Sequence, residues 1–496
     1  FTNALTVNLD DGDNTLDASA HTGVLTAKIT QTIANDAADT HTVTAGTGSS
    51  DELLITADGS VIDNASMTTF TKFEKITIAN NASAGLITLD ELNMDANATL
   101  TVDASAITTS TNTFALNASD DSNGKLVVIG SAGVDTITGS ASSNGDDINT
   151  GAADDSIIMG ANLTATDTID GGAGTDTLSL DAGNADSAFT LVTNVEKVAN
   201  STTGTLTLGT LAQAAGIRTA TVTDAANTVT ASAYTTAITV DASASTGNND
   251  TVTTGSGDDT IVFATTTGLN DGDTLNGGTG TDTISLDNSA GAVTAEADMD
   301  DITAIEKIVV ADADGAVATA EAITLTLSAI AETTVQNIEI DASAITDADD
   351  DLLITNNATT TATTAWTIKG GAGDDTIVGG NGNDTLTGNG GVDTITANAG
   401  VDTVNGGAGN DTIMMAGNLT ADDTIDGGAD TDTLSLNAGN ADSAFTLVTN
   451  VETVTNATTG TLTLGTLAQA AGIRTVTITD AANTVTASAY TTGLTV

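Results

Sequence analysis

The chain has no cysteine and no proline, and only 2% of its 496 residues are aromatic, with one tryptophan (Trp366) and two tyrosines (Tyr234 and Tyr490). Without Cys there is no disulfide framework, no thiolate metal site and no thiol chemistry. Without Pro, nothing in the backbone forbids long uninterrupted ladders of strands. So few rings exclude the aromatic-rich cores of a multidomain globular enzyme. No run of about 18 apolar residues occurs, so no membrane-spanning helix is encoded. Positive charge is scarce as well: 9 Lys and Arg stand against 66 Asp and Glu, a formal charge of −57. That balance excludes nucleic acid and anionic membranes as partners. Phe1 opens the sequence without an initiator Met or a signal peptide, so a processed or cropped N-terminus is expected.

What is present is a hydrophobic fraction of 39%, built from Ala, Val, Ile and Leu beside abundant Thr. High net charge often signals disorder, but these small β-formers suit a thin core in which each coil touches only its neighbours. The segment NLTATDTIDGGAGTDTLSLDAGNADSAFTLVTNVEKV from Asn162 recurs from Asn418, 256 residues later, and the match continues to Val240 and Val496. The second copy stops in mid-pattern, so the protein is expected to extend further. Weaker copies run from Asp273 to Asn288 with IEKIVV following, and from Asp51 with FEKITIAN following. About four copies of one plan result, each an acidic Gly-rich tract followed by a Thr/Val/Leu-rich tract. We divide the chain into a β-rich module 1–129, an acidic Gly-rich tract 130–180, a solenoid module 181–253, a short acidic Gly-rich tract 254–286, a solenoid module 287–369, a nonapeptide β-roll 370–436 and a solenoid module 437–496.

The Thr/Val/Leu-rich tracts predict strands. EKITI, LITLDEL, TLTVDAS, TFALNAS and LVVIGS follow one another between Glu74 and Ser131, alternating one face to the core and one to water. The best helical candidate is short, GTLAQAAGIR at Gly209–Arg218 and again at Gly465–Arg474. The expected fold is all-β: elongated parallel β-solenoid modules interspersed with β-roll segments. A sandwich of short antiparallel strands is the alternative, weakened because NG and DG turns do not recur at hairpin spacing.

Between Gly370 and Met414 the chain reads GGAGDDTIV GGNGNDTLT GNGGVDTIT ANAGVDTVN GGAGNDTIM, with no Lys, Arg or His. Positions one, two and four are mostly Gly, position six is always Asp (Asp375, Asp384, Asp393, Asp402, Asp411), and position eight is an apolar residue expected to point inward. One unit makes a turn and a strand, so two close a flattened coil. Asp375, Asp393 and Asp411 then stack in one column and Asp384 and Asp402 in another, about 4.8 Å from coil to coil. Two bare carboxylates about 5 Å apart at an effective dielectric of ~20 repel by roughly 3 kcal/mol. The turns are expected to be solvent-exposed, so protonation would not relieve the repulsion and a cation must. Hard oxygen ligands without His or Cys select Ca²⁺.

These units resemble the GGxGxDxUx nonapeptides of RTX (repeats-in-toxin) proteins, whose parallel β-roll holds Ca²⁺ between turns. The resemblance implies ligands from the position-six Asp and from carbonyls of the Gly-rich turn, hence the five aspartates above. Shorter matches extend the metal set to Asp135, Asp155, Asp176, Asp259, Asp282 and Asp432, each unit pairing with another across an insertion. The unit ANAGVDTVN puts Ala397 and Asn398 where glycines are usual, so its ion is expected to be held less well.

Composition and motif together resemble the RTX-type surface-layer proteins of bacteria. The resemblance implies a secreted, non-catalytic structural protein that folds with several Ca²⁺ ions, self-assembles as a homo-oligomeric lattice on the cell surface, and meets cell-surface polysaccharide. Type I secretion is expected. The alternatives are an RTX adhesin or biofilm-matrix fibre, and a polysaccharide-modifying enzyme with RTX modules. Asp pairs could serve glycoside hydrolysis, but aromatic platforms for sugar are lacking. TLTL stretches at Thr205 and Thr461 are too irregular for an ice-binding array. His21 and His41 are expected at the surface, and the sequons at Asn81 and Asn357 are possible glycosylation sites.

Overall fold

The computed structural model describes residues 3–9, 14–29, 42–56, 70–79, 86–89, 98–181, 183–223, 226–245, 249–264, 269, 272–287, 294–295, 302–311, 322–326, 338–355, 365–416, 419–437, 439–479 and 483–496. His41, Asn81 and Asn357 lie outside these residues. The chain divides into two compact units, Phe1–Tyr234 and Thr235–Val496.

In the first unit a sheet of nine described strands begins Leu5–Leu9, Leu25–Ile29, Glu52–Ile55, Lys75–Ile78 and Thr99–Asp103, and continues to Val192–Thr193. Its strands pair in parallel, in register, with the strand one coil away. A second parallel sheet runs through Leu86–Thr88, Phe114–Asn117, Asp135–Thr138, Ser156–Gly160, Thr177–Leu180, Lys197–Asn200 and Thr219–Val222. All five strands anticipated between Glu74 and Ser131 are present. Parallel pairing throughout is a solenoid, not a sandwich.

The second unit follows the same plan. Asp351–Thr355, Thr376–Gly380, Thr394–Asn398, Thr412–Ala416, Thr433–Leu436, Thr453–Asn456 and Thr475–Ile478 stack in one sheet. Trp366–Lys369, Thr385–Gly390, Thr403–Ala408, Thr424–Ala429 and Val448–Thr449 stack in another. Within the nonapeptides the register advances by one coil of two units, Thr376 opposite Thr394 opposite Thr412.

The core is the position-eight ladder. Ile377, Ile395, Ile413, Leu434 and Val454 stack along one sheet, and Ile368, Leu386, Val404 and Ile425 along the other, each 0–1% exposed. Each such side chain contributes about 1.5–3 kcal/mol by burial, and no large ring is needed because facing sheets are bridged by branched aliphatics. The two helical candidates are helices, Thr210–Ala215 and Thr466–Ala470. In each, a single aspartate of the preceding coil caps the first turn: Asp186 accepts the N–H groups of Gly209, Leu211 and Ala212, and Asp442 accepts those of Gly465, Leu467 and Ala468. His21 departs from expectation: it is buried at 8% exposure, beneath a turn that its own carbonyl anchors by accepting the Thr47 N–H.

Candidate metal centre

Each nonapeptide aspartate is tied to the coil before it. The Asp375 N–H donates to Asp393 Oδ1 at 2.8 Å, the Asp393 N–H to Asp411 Oδ1 at 2.9 Å, and the Asp411 N–H to Asp432 Oδ1 at 2.9 Å. The opposite bend carries the second column: Trp366 N–H to Asp384 Oδ1, Asp384 N–H to Asp402 Oδ1, and Asp402 N–H to Asp423 Oδ1. Earlier in the same unit, Ile238 N–H reaches Asp259 and Asp259 N–H reaches Asp282. In the first unit the column runs Asp135, Asp155, Asp176. The structure therefore brings all eleven sequence-predicted aspartates into columns of this kind.

One premise of the sequence reading is overturned. These aspartates are not solvent-exposed: all eleven are at most 2% exposed. To reach the N–H of the previous coil, Oδ1 must fold under the turn, and the carboxylate follows it inside. Burial raises the pKa values of those named next, since the charged form loses its water. Burial, opposed by the Asp375 N–H and reinforced by the Asp375 and Asp411 carboxylates, pushes Asp393 up to about 8. Asp402 is pushed to about 7 in the same way. Asp375, Asp384 and Asp432 rise to about 6, as do Asp135, Asp155, Asp176 and Asp282. Burial likewise raises Asp411.

The second carboxylate oxygen separates the aspartates into two kinds. At the head of three columns it is satisfied by the chain: the Gly371 N–H donates to Asp375 Oδ2 at 2.8 Å, the Ser131 N–H to Asp135 Oδ2 at 2.7 Å, and the Gly255 N–H to Asp259 Oδ2 at 3.1 Å. Further along, Oδ2 of Asp176, Asp282, Asp393, Asp402, Asp411 and Asp432 is buried with no hydrogen-bond partner. An orphaned buried carboxylate oxygen costs several kcal/mol unless something positive meets it.

Backbone carbonyls of the next coil come near these oxygens at the Gly-rich turns. A Cβ at Gly388 would collide with Asp393 Oδ2 and with the Gly406 carbonyl of the next coil, and one at Gly406 with Asp411 Oδ2 and the Gly427 carbonyl. Position one is therefore Gly because carboxylate and carbonyl oxygens converge on it. Position two is left-handed in the last three units, at Asn389, Asn398 and Gly407 (φ 78°, 66° and 114°). Among the described residues no three acidic or His side chains converge as a ready-made ligand cluster. An ion here would take one or two carboxylates and complete its shell with backbone carbonyls, as Ca²⁺ does. The residues present fit that ion.

Sequence reasoning missed several participants. Asp146, Asp167, Asp250, Asp273 and Asp423 occupy equivalent buried positions without a Gly-rich turn. Hydroxyls take the role of the cation there: Ser140 bonds both oxygens of Asp146, while Thr164 and Thr420 bond the second oxygen of Asp167 and Asp423 through N–H and hydroxyl. A shared signal was available, an Asp just before the first residue of an inward-alternating strand. Position five carries a second ladder of opposite sense, Val392 N–H to Asp374 Oδ1, Val401 N–H to Asn383 Oδ1 and Thr431 N–H to Asn410 Oδ1. Elsewhere the chain supplies its own cations, as where Lys307 and Lys369 both reach Glu339 and Asp341. The roll between Gly370 and Met414 has none.

Acid columns of this geometry, on Gly-rich turns between parallel strands, define a calcium-binding β-roll. Residues 164–185, 245–263, 267–290, 367–395, 378–413 and 419–441 match the RTX calcium-binding nonapeptide repeat (4 copies). These segments carry RTX calcium-binding nonapeptide repeats, which support an RTX-type calcium-binding protein with multiple Ca²⁺ ions as its cofactors. Neither the curated proteins nor the solved structures yield a match to it.

Proposed function

We propose that this chain is a secreted, non-catalytic structural protein that folds when it meets extracellular Ca²⁺ and assembles side by side into a cell-surface layer. The observation that carries the reading is the run of buried Oδ2 atoms at Asp393, Asp402, Asp411 and Asp432, which the chain itself does not neutralise. At the low calcium of a cell interior the columns repel and the coil is loose. At millimolar calcium outside, binding energy becomes folding energy. Export by type I secretion accords with folding deferred in this way. In-register parallel strands stacked coil on coil within each unit suit lateral contact between copies, with cell-surface polysaccharide as a further partner. Among the described residues no helix is long and apolar enough to cross a membrane.

The second reading is an RTX adhesin or matrix fibre. It is favoured by the long duplication, whose copies fold alike: Asp186–Phe189 and Asp442–Phe445 form the same short turn of 3₁₀-helix, followed by equivalent strands and helices. Electron microscopy of the purified chain with and without millimolar Ca²⁺ separates the two. A periodic sheet that forms only with calcium supports the surface layer. Isolated fibres, or particles that never associate, would sink it.

A further inference from the structure

Three of the orphaned oxygens do not face a nonapeptide. A Cβ at Gly171 would meet Asp176 Oδ2 and the Asn194 carbonyl, one at Gly277 would meet Asp282 Oδ2 and the Ala304 carbonyl, and one at Gly427 would meet Asp432 Oδ2 and the Asn450 carbonyl. The opposing residue is left-handed each time, with φ 52°, 54° and 52°. Two residues further on stands a glutamate, and its Oε2 accepts the aspartate's own N–H: Asp176 to Glu196 at 2.9 Å, Asp282 to Glu306 at 2.8 Å, and Asp432 to Glu452 at 2.9 Å. Each Glu thus stands to its aspartate as Asp411 stands to Asp393. Residues 194–196, 304–306 and 450–452 lie outside every segment that matches the repeat family.

We propose that Asp176, Asp282 and Asp432 each hold a further divalent cation of the calcium class against a coil that has no nonapeptide, with the left-handed carbonyl and Glu196, Glu306 or Glu452 as the opposite half of the site. The inference rests on the calcium-binding reading of the chain and extends it to a second kind of site. The backbone supports it at Ala304, whose methyl gives no reason for a left-handed conformation costing about 1 kcal/mol. Holding that carbonyl toward Asp282 Oδ2 is a use for the strain. One function follows: the glutamate ends the acid column, so the final ion joins a cation-dependent roll to a coil that needs no ion of its own.

The molecule contains its own contrast. Glu74 accepts the Asp51 N–H at 2.7 Å in the same way, but both oxygens of Asp51 are satisfied, by the N–H groups of Leu25 and Gly46. That copy has no orphaned oxygen and should bind nothing.

The test is a Ca²⁺ titration of the full chain followed by native mass spectrometry, which counts ions. Replacing Glu by Gln keeps an oxygen for the N–H bond and removes only the charge. The triple variant Glu196→Gln, Glu306→Gln, Glu452→Gln should load three fewer ions at sub-saturating calcium, with affinity at those sites reduced about tenfold. Glu452→Gln alone, with its far-UV spectrum as a check on folding, should lose one, and Glu74→Gln none. A triple variant that loads like wild type, or an ion lost on Glu74→Gln, overturns the proposal. A wild-type chain that takes up no calcium would instead overturn the calcium reading beneath it.

Discussion

Asp393→Asn should change stability in opposite directions with and without calcium. Asn is nearly isosteric, and its amide oxygen can still accept the Asp375 N–H that now reaches Oδ1 at 2.8 Å. What disappears is a negative charge between Asp375 and Asp411. Burial and those two neighbours raise Asp393 to about 8, so at pH 9 the wild-type carboxyl is ionised. Adjacent coils are about 4.8 Å apart, and at an effective dielectric of ~20 each neighbouring charge costs roughly 3 kcal/mol. Relaxation and screening leave an expected gain on the order of 1–3 kcal/mol for the metal-free variant at pH 9. With millimolar Ca²⁺ the same change removes a ligand and destabilises, by about 1.4 kcal/mol for each tenfold loss in that ion's affinity. Urea unfolding followed by Trp366 emission reads both states. Trp366 is the chain's single tryptophan, it is 6% exposed, and its backbone N–H donates to Asp384 Oδ1 in the parallel column. Equal destabilisation in calcium and in chelator would refute the reasoning, because it would mean that the carboxylate serves only as a hydrogen-bond acceptor.

In chelator, acid should stand in for calcium. Asp393 and Asp402, raised to about 8 and about 7, bind protons in the fold that the unfolded chain, with carboxyls near 3.9, has already released. Metal-free stability therefore falls as pH rises from about 4 to about 8, and buried-type Trp366 emission in excess chelator should persist at pH 5 and shift red by pH 9; a spectrum independent of pH would contradict this. Ile395, 0% exposed and stacked between Ile377 and Ile413, should cost about 2–5 kcal/mol as Ile395→Ala and about 0.5–1.5 as Ile395→Val, measured by the same unfolding curve in calcium. Ala397 stands at position one of its nonapeptide, where other units place Gly beside Asp Oδ2 and a carbonyl. Ala397→Gly should tighten the ion at Asp402, seen as a lower calcium midpoint in titration, and an unchanged midpoint would show that the methyl does not crowd the site.

Much of this architecture was legible before any coordinates. A nine-residue period with an apolar residue at position eight leaves one way to bury that residue in every unit, so strand positions, parallel stacking and the two acid columns follow from Gly370–Met414 alone. The short helices at Thr210–Ala215 and Thr466–Ala470 were legible too, because LAQAA is a run of good helix formers between glycines. Asp146, Asp167 and Asp423 escaped because their partners are Ser and Thr hydroxyls at irregular separations, and a hydroxyl three to six residues away carries no periodic mark. Glu196, Glu306 and Glu452 escaped because their role depends on a residue twenty or more positions earlier, one coil below.

The sequence by itself determined the repeat, the absence of compensating cations in the roll, and therefore the need for an ion of the calcium class: these rest on composition and period, which are local. Only the tertiary structure decided that the acids are inside, because it is the neighbouring coil's N–H that draws Oδ1 under the turn. It also decided which carboxylates the chain can satisfy and which it cannot. Asp375 and Asp393 both stand at position six of their units, yet Asp375 keeps the Gly371 N–H on its second oxygen while that of Asp393 is buried without a hydrogen-bond partner. That difference lies in the backbone of coils stacked above and below, and a one-dimensional pattern does not contain it.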